Sequence, residues 1–533
     1  MLSVNHRIGN LLLAFAGGIL LSAAWPTYGY ALLIFIAFVP LLVMEENIRL
    51  QEGKHKGFRL FVTAYLAFFI WNVFTTWWIW NSTPAGAVFA LTVNSLLMSL
   101  VFLLYHGVSR RKPRRFSLIF LVAVWLAFEK FHLEWQFSWP WLNLGNVFSE
   151  NPHWVQWYEY TGIAGGTLWI LLVNILIFSA IRHFKDKKTI IKRLIAAAAV
   201  VVAGIYFSLY KYYTFPGGGE NFQAVVLQPA TDPYTEKYHR PMHEIAAELT
   251  ALATPQMNDS VRFVLAPETV LSRMTTKDAF VHSAAYGTLS AFVEKYPQAA
   301  IITGIDLYRV IDSKEMPTPT ANPFPNAKDK WYESYNAAML IAAGKQPETY
   351  YKSKLVVGVE HFPYRSLLMP LFGNILIAHG SSPNVLTPQG YPVVFEHRGI
   401  RAAPVICYES IYGEHLGGFV RDGAGFLAII TNDSWWGDTE GHRQLNSYAR
   451  LRAVEMRRDI ARSANSGISS FINARGDVMK TLPYGAKGAL RGSLYLRHGL
   501  TVYARFGDYI YRIASFVAVL FLLIGLFVRA KRQ

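Results

Sequence analysis

The chain has one cysteine in 533 residues, Cys407, which ends the apolar run I-R-A-A-P-V-I-C just before Tyr408 and Glu409. A free thiol is commonly a small buried hydrophobe. A nucleophilic thiol needs a nearby cation, or a base to take its proton. Glu268 closes F-V-L-A-P-E. It is either the cap of a helix starting at Thr269 or a partly desolvated carboxylate suited to accepting that proton. Lys352 and Lys354 lie in Y-Y-K-S-K-L-V-V-G-V-E. One lysine of such a pair is ordinarily solvated, while the other can turn inward and stabilise an oxyanion or thiolate. Glu360 fits either a partner for that lysine or a surface acid. Taken together, these residues could make an activated thiol with a base and an oxyanion-stabilising cation, with neither metal nor cofactor expected.

Such groups need rigid elements to hold them. Continuously apolar runs at 222–228, 261–266, 299–306, 335–343, 400–407, 425–431 and 468–474 predict strands buried on both faces. Helices are expected over 240–254, 278–295 and 442–463. The last would line Leu445, Ala449, Ala453, Met456 and Ile460 along one side. The alternation reads as a layered α/β domain. Gln228, Glu268, Cys407 and Asn432-Asp433 all directly follow strands, where α/β domains place catalytic groups. Pro216-Gly217-Gly218-Gly219 reads as a flexible joint ahead of this domain.

The rest of the chain has a different solvent. Hydrophobic residues make up 52% and charged ones only 16%, against roughly a quarter charged in soluble proteins. Apolar stretches of about spanning length fall at 9–25, 30–45, 60–79, 86–105, 116–131, 163–181, 194–210 and 508–528. The net charge of +16 is topological. Segments around Arg7, 45–59, 110–115, 182–193 and 529–532 hold 19 Lys and Arg, against the four acids Glu45, Glu46, Glu52 and Asp186, which accounts for +15 of it. The intervening loops 25–29, 80–85 and 130–161 carry one basic residue, Lys130. This is a positive-inside pattern and not a nucleic-acid face. It puts both termini in the cytoplasm and the polar stretch outside it. Glu129 reads as a headgroup or structural residue, and Trp135, Trp139, Trp141, Trp154 and Trp157 as an aromatic belt. The greasy segment from Leu367 to Ile377 reads as either core packing or a membrane-dipping lid, with Trp435-Trp436 on the same rim.

A strand-end P-E, a later lysine and a strand-end I-C-Y-E resemble the Glu-Lys-Cys triad of the nitrilase superfamily. Set between seven spans and one, they resemble the apolipoprotein N-acyltransferases. The same order of segments includes F-S-W-P-W-L-N-L-G (137–145), V-V-L-Q-P (225–229), T-N-D-S-W-W-G (431–437) and R-S-A-N-S-G-I-S (462–469). The resemblance covers essentially the whole chain. It implies eight transmembrane helices plus an α/β nitrilase-like αββα sandwich, divided as 1–215, 216–500 and 501–533. It implies Glu268 as general base, Lys352 as oxyanion lysine, Cys407 as nucleophile, and Glu360, Tyr408, Glu409 and Trp435 in support. Relatives read K-x-H-L-V-P-F-G-E. Here Lys354 takes the His place and Val357-Gly358-Val359 replaces the Pro-Phe-Gly turn, while Leu355-Val356 and Pro363 keep the register on Lys352. The implied partners are a phospholipid acyl donor and a diacylglyceryl apolipoprotein acceptor. The expected setting is a monomer in a bacterial inner membrane, with its catalytic domain on the periplasmic side. A membrane-tethered amidase that hydrolyses its thioester is the alternative enzyme, and a transporter or scaffold the non-enzymatic one.

Overall fold

Two units divide the chain in the computed structural model, which describes residues 6–183, 185–312, 318–324, 327, 329–367 and 385–527. One unit gathers the chain up to Trp80, Gly86–Thr214 and the chain from Asp508. The other holds Asn81–Ala85 and Phe215–Gly507.

The first unit is helical. Among the described residues, six helical stretches are long and apolar enough to cross a bilayer: Ala31–Leu50, Lys56–Asn81, Pro84–Ser109, Arg114–Glu134, Ile163–Ile181 and Lys187–Thr214. Arg7–Ala23 and Tyr509–Gly525 are shorter apolar helices. The stretch expected as one span at 30–45 is broken into a turn at Ala31–Leu33, a short helix Ile34–Ala37 and a helix Val39–Leu50. Pro40 has no N–H to give and its ring crowds the preceding turn. Asn174 repairs the break: its Oδ1 accepts from Phe38 N at 2.9 Å and its Nδ2 donates to the Ile34 carbonyl at 2.9 Å.

Glu129 proves structural. Its buried carboxylate accepts from Leu144 N at 2.7 Å, Thr167 Oγ1 at 2.8 Å and Tyr511 Oη at 2.9 Å. It therefore ties three segments to the helix Arg114–Glu134. The expected aromatic belt needs one correction. Trp141 is fully buried, packed on Trp78 and Trp139 with ring centroids 4.8 and 5.4 Å away, so it is core and not an interfacial anchor.

The second unit contains two sheets. We number its strands β1 (Asn221–Gln228), β2 (Val261–Leu265), β3 (Leu271–Thr275), β4 (Ala300–Val310), β5 (Asn322–Pro323), β6 (Trp331–Ala342), β7 (Glu348–Tyr351), β8 (Phe395–His397), β9 (Ile400–Ile406), β10 (Phe426–Thr431), β11 (Ile460–Ala464), β12 (Ser469–Ile472), β13 (Val478–Leu482) and β14 (Gly488–Tyr495). One sheet runs β14-β1-β2-β4-β6-β5, with β3 on β4 and β7 on β6; the other runs β13-β12-β11-β10-β9-β8. Both centres are parallel, β1-β2-β4 and β9-β10-β11. The sheets meet face to face through Phe222, Phe263 and Phe426, with centroids 5.0–6.0 Å apart. Helices Met242–Ala253 and Ala284–Lys295 cover the outer face of the first sheet, burying Ile245, Leu249, Leu289 and Val293. Helices Gly413–Arg421 and Glu440–Met456 accompany the second. The result is an α-β-β-α layering, in which β10 is buried at all six positions, as a strand covered on both faces must be.

Two helix expectations change. The helix expected over 442–463 ends at Met456, with Arg457 in the left-handed region at φ 49°, and Ile460 instead opens β11. The helix expected over 278–295 splits at Ser283, whose hydroxyl caps the second piece by accepting from Tyr286 N. Most of the greasy segment lies outside the described residues. Leu367, its first residue, is exposed.

Candidate active site

Strand β9 delivers Cys407 into a sharp turn. The residue has φ 49°, a left-handed conformation uncommon away from glycine, and it begins a short 3-10 helix, Cys407–Ile411. Two hydrogen bonds hold the turn: Ile406 N donates to Glu409 Oε2 at 2.8 Å, and Ser410 Oγ donates to the Cys407 carbonyl at 2.7 Å. The thiol is therefore aimed by backbone geometry and not by a flexible loop.

Glu268 follows β2 in the other sheet. No helix starts at Thr269, so the capping alternative drops out: Thr269 is left-handed at φ 44° and the chain enters β3. The carboxylate accepts three hydrogen bonds. Oε1 accepts from Lys352 Nζ and Asn336 Nδ2, each at 2.7 Å, and Oε2 from Asn432 N at 3.0 Å. Gly304 on β4 makes room for this turn. A Cβ there would lie 2.3 Å from Thr269 N, 2.4 Å from the Pro267 carbonyl and 2.6 Å from Glu268 Cα.

Lys352, just past β7, is the lysine that turns inward. It is buried, and its ammonium bridges Glu268 at 2.7 Å and Glu360 at 2.9 Å. Glu360 is thus its second counter-ion and also caps Val356 N at 2.8 Å. Lys354 faces elsewhere, with Nζ 5.2 Å over the Tyr412 ring. Tyr408 packs edge-on against the same ring at 5.3 Å. Glu409 is fully buried and joins the lysine segment to the cysteine turn: Ser353 N reaches it at 2.6 Å, Tyr350 Oη at 2.7 Å and Ile406 N at 2.8 Å. Trp435 is half-buried, edge-on to Tyr234 at 5.4 Å. Gln228 holds Ser469 N and the Pro483 carbonyl, so it braces the sheets.

Electrostatics follow from this packing. Burial alone would raise the Glu268 carboxyl, but the Lys352 ammonium beside it, with Asn336 and Lys237, holds it below the usual range. Lys352 is pushed well above the ordinary lysine value: burial opposes this, and Glu268, Glu360 and Cys407 outweigh burial. Cys407 is pushed well up, first by burial and then by the Glu268 carboxylate, with Lys352 working the other way. These directions leave a neutral thiol near a charged carboxylate and a charged lysine.

Sequence reasoning missed Asn336, Asp306 and Lys237. Asn336 and Asp306 lie opposite each other on β6 and β4; Asn336 breaks the apolar run 335–343 and Asp306 ends the run 299–306. That break was the available signal. Lys237, in T-E-K-Y, carries no such mark.

The same division is visible by comparison. A family model described as apolipoprotein N-acyltransferase N-terminal domain matches residues 17–176, and one described as carbon-nitrogen hydrolase matches 226–497. An apolipoprotein N-acyltransferase of Chlorobaculum tepidum is 25% identical over 91% of this chain and 90% of its own. One of Methylococcus capsulatus is 27% identical over 94% and 93%, and apolipoprotein N-acyltransferase 1 of Treponema denticola is 25% identical over 98% and 97%. Among solved structures, an amidase from Nesterenkonia sp. aligns with TM-score 0.36 and 15% identity, over 56% of this chain and 98% of that one. With the hydrolase model spanning just over half of the chain and the N-terminal model preceding it, the chain belongs to the carbon-nitrogen hydrolase family, in its apolipoprotein N-acyltransferase branch.

Proposed function

We propose that this acyltransferase moves an acyl chain from a membrane phospholipid, through a Cys407 thioester, to the N-terminal amine of a diacylglyceryl-cysteine lipoprotein. The observation that carries the reading is a lone cysteine at a strained strand end sharing its electrostatic surroundings with a buried Glu268–Lys352 pair, in a chain that also carries helices long enough to span a bilayer.

Glu268 takes the thiol proton and the sulfur attacks the ester carbonyl. Lys352 faces the oxyanion of the tetrahedral intermediate. Collapse expels the lysophospholipid oxygen, which takes the proton back from Glu268 and leaves the thioester. The acceptor amine then attacks the thioester and gives a proton to Glu268. The amide forms as the thiolate leaves and is reprotonated. Glu360 keeps Lys352 charged and in place, Glu409 holds the cysteine turn, and Tyr408 and Trp435 shape the entrance. Eight spans, counting the two shorter apolar helices, anchor a monomer in the bacterial inner membrane. The basic segments and both termini are then cytoplasmic, with the catalytic unit outside.

The test is mass spectrometry of the purified protein mixed with phospholipid, followed by a diacylglyceryl lipopeptide. An acyl adduct on Cys407 that is consumed as N-acylated peptide appears supports transfer. Free fatty acid alone would make the chain a hydrolase, and a Cys407→Ala protein that still N-acylates would falsify the thioester route.

A further inference from the structure

A second buried lysine stands beside the proposed base and has no part in the steps above. Lys237 follows β1 in a turn-rich stretch and is only 6% exposed. Its Nζ donates to Thr269 Oγ1 at 2.6 Å, on the residue immediately after Glu268. Its carbonyl accepts from Ser272 Oγ, at the start of β3. Lys237 therefore grips the turn that carries Glu268 at two points, and that turn includes the left-handed Thr269. Trp435 and Tyr238 flank the ammonium, each ring centroid 5.4 Å away, which suits a desolvated cation. Trp435 also belongs to the segment whose Asn432 N–H holds the other oxygen of Glu268.

We infer that Lys237 is a positioning residue for Glu268, clamping the Pro267–Thr269 turn through Thr269 and Ser272 and supplying a fixed second positive charge to the carboxylate. The inference rests on reading Glu268 as the base. A lysine buried this deeply is costly unless it is paired, and its charged surroundings fit a shared role. Asp306, Glu268 and Glu360 act on it as anions and Lys352 as a cation. Burial lowers Lys237 and those anions oppose the shift. Asp306 is itself raised to about 7, by burial first, with Lys237 and Lys352 drawing it down and Glu268 and Glu360 adding to the rise. Removing the Lys237 charge while leaving Lys352 in place should make Glu268 easier to protonate. A base must be ionised to work, so the acid limb of activity should move to higher pH.

The experiment measures the rate of Cys407 acylation by phospholipid vesicles against pH, in detergent-purified full-length protein. It compares wild type, Lys237→Met, Thr269→Val and Glu268→Gln. Lys237→Met should slow acylation roughly 10²-fold, with the phospholipid concentration dependence changed by less than about threefold, because the base is misplaced while substrate contacts remain. Its acid limb should rise by roughly one pH unit. Thr269→Val, which keeps the charge and removes the acceptor, should slow acylation about tenfold with an unmoved limb. If Lys237→Met keeps the wild-type limb and a rate within about threefold while Glu268→Gln is inactive, the inference falls and the base assignment stands. If Glu268→Gln retains full activity, the base assignment itself falls. Should Lys237→Met fail to accumulate, a wild-type rate in Thr269→Val overturns the clamp.

Discussion

At the thiol, burial and the Glu268 carboxylate both oppose ionisation, so Cys407 rests protonated near the carboxylate proposed as its base. The consequence for stability has a definite sign. A thiol whose pKa is raised by folding contributes stability that is fully present below its unfolded value, about 8.5, and is lost as pH rises through the folded value. Glu268 is the mirror case: its contribution is present above about 4.3 and fades as pH falls through its depressed folded value. Cys407→Ala should therefore abolish the acyl adduct and also flatten the alkaline fall in stability above about pH 8.5. Thermal unfolding of wild type and variant between pH 7 and 10 checks this. Parallel curves would mean that the thiol does not titrate as its surroundings require.

Among the elements, the strand ends do the positioning, and one close approach sets how precisely. Gly304 on β4 lies against the backbone of Pro267, Glu268 and Thr269, with no space for a methyl group. Gly304→Ala would have to push the base turn away from β4, because its neighbours are backbone atoms and not the end of a pliable side chain. Misplacing a catalytic group by about 1 Å costs on the order of 10²-fold. The acylation rate should fall by about that much while the protein still purifies as a folded species. An unchanged rate would show that the turn has slack. A comparable constraint operates at Glu409, which joins the end of β9 to the segment after β7 through Ile406 N and Ser353 N. The Cys407 turn and the Lys352 segment are thus held in one hydrogen-bonded frame rather than by two independent loops.

Over the whole molecule, the charge asymmetry predicts topology. With Cys407 replaced by alanine the chain has no cysteine, so single introduced thiols report their side of the membrane cleanly. Lys188→Cys, in a basic segment, should resist a membrane-impermeant maleimide in right-side-out vesicles and react in inverted ones. Lys277→Cys, exposed at the start of a helix in the catalytic unit, should do the reverse. The same side for both would overturn the positive-inside reading.

The sequence alone determined which stretches are apolar, on which side the basic residues gather, and which strands end in Glu268, Cys407 and Asn432. All seven predicted strands are present because continuous burial writes itself as continuous apolar residues. Short or edge strands such as β3, β7 and β13 carried no such run and went unseen. Pro40 marks the break of one apolar stretch locally, but the residue that satisfies the freed backbone groups, Asn174, lies far along the chain and no local pattern announces it. Tertiary structure alone showed where the two lysines of the pair go: the chain bends after Lys352, whose ammonium is enclosed by Glu268 and Glu360, while Lys354 lies over the Tyr412 ring. It alone found Lys237, because what marks that lysine is the company it keeps in space: a hydroxyl 32 positions on and a tryptophan from the other sheet's loops.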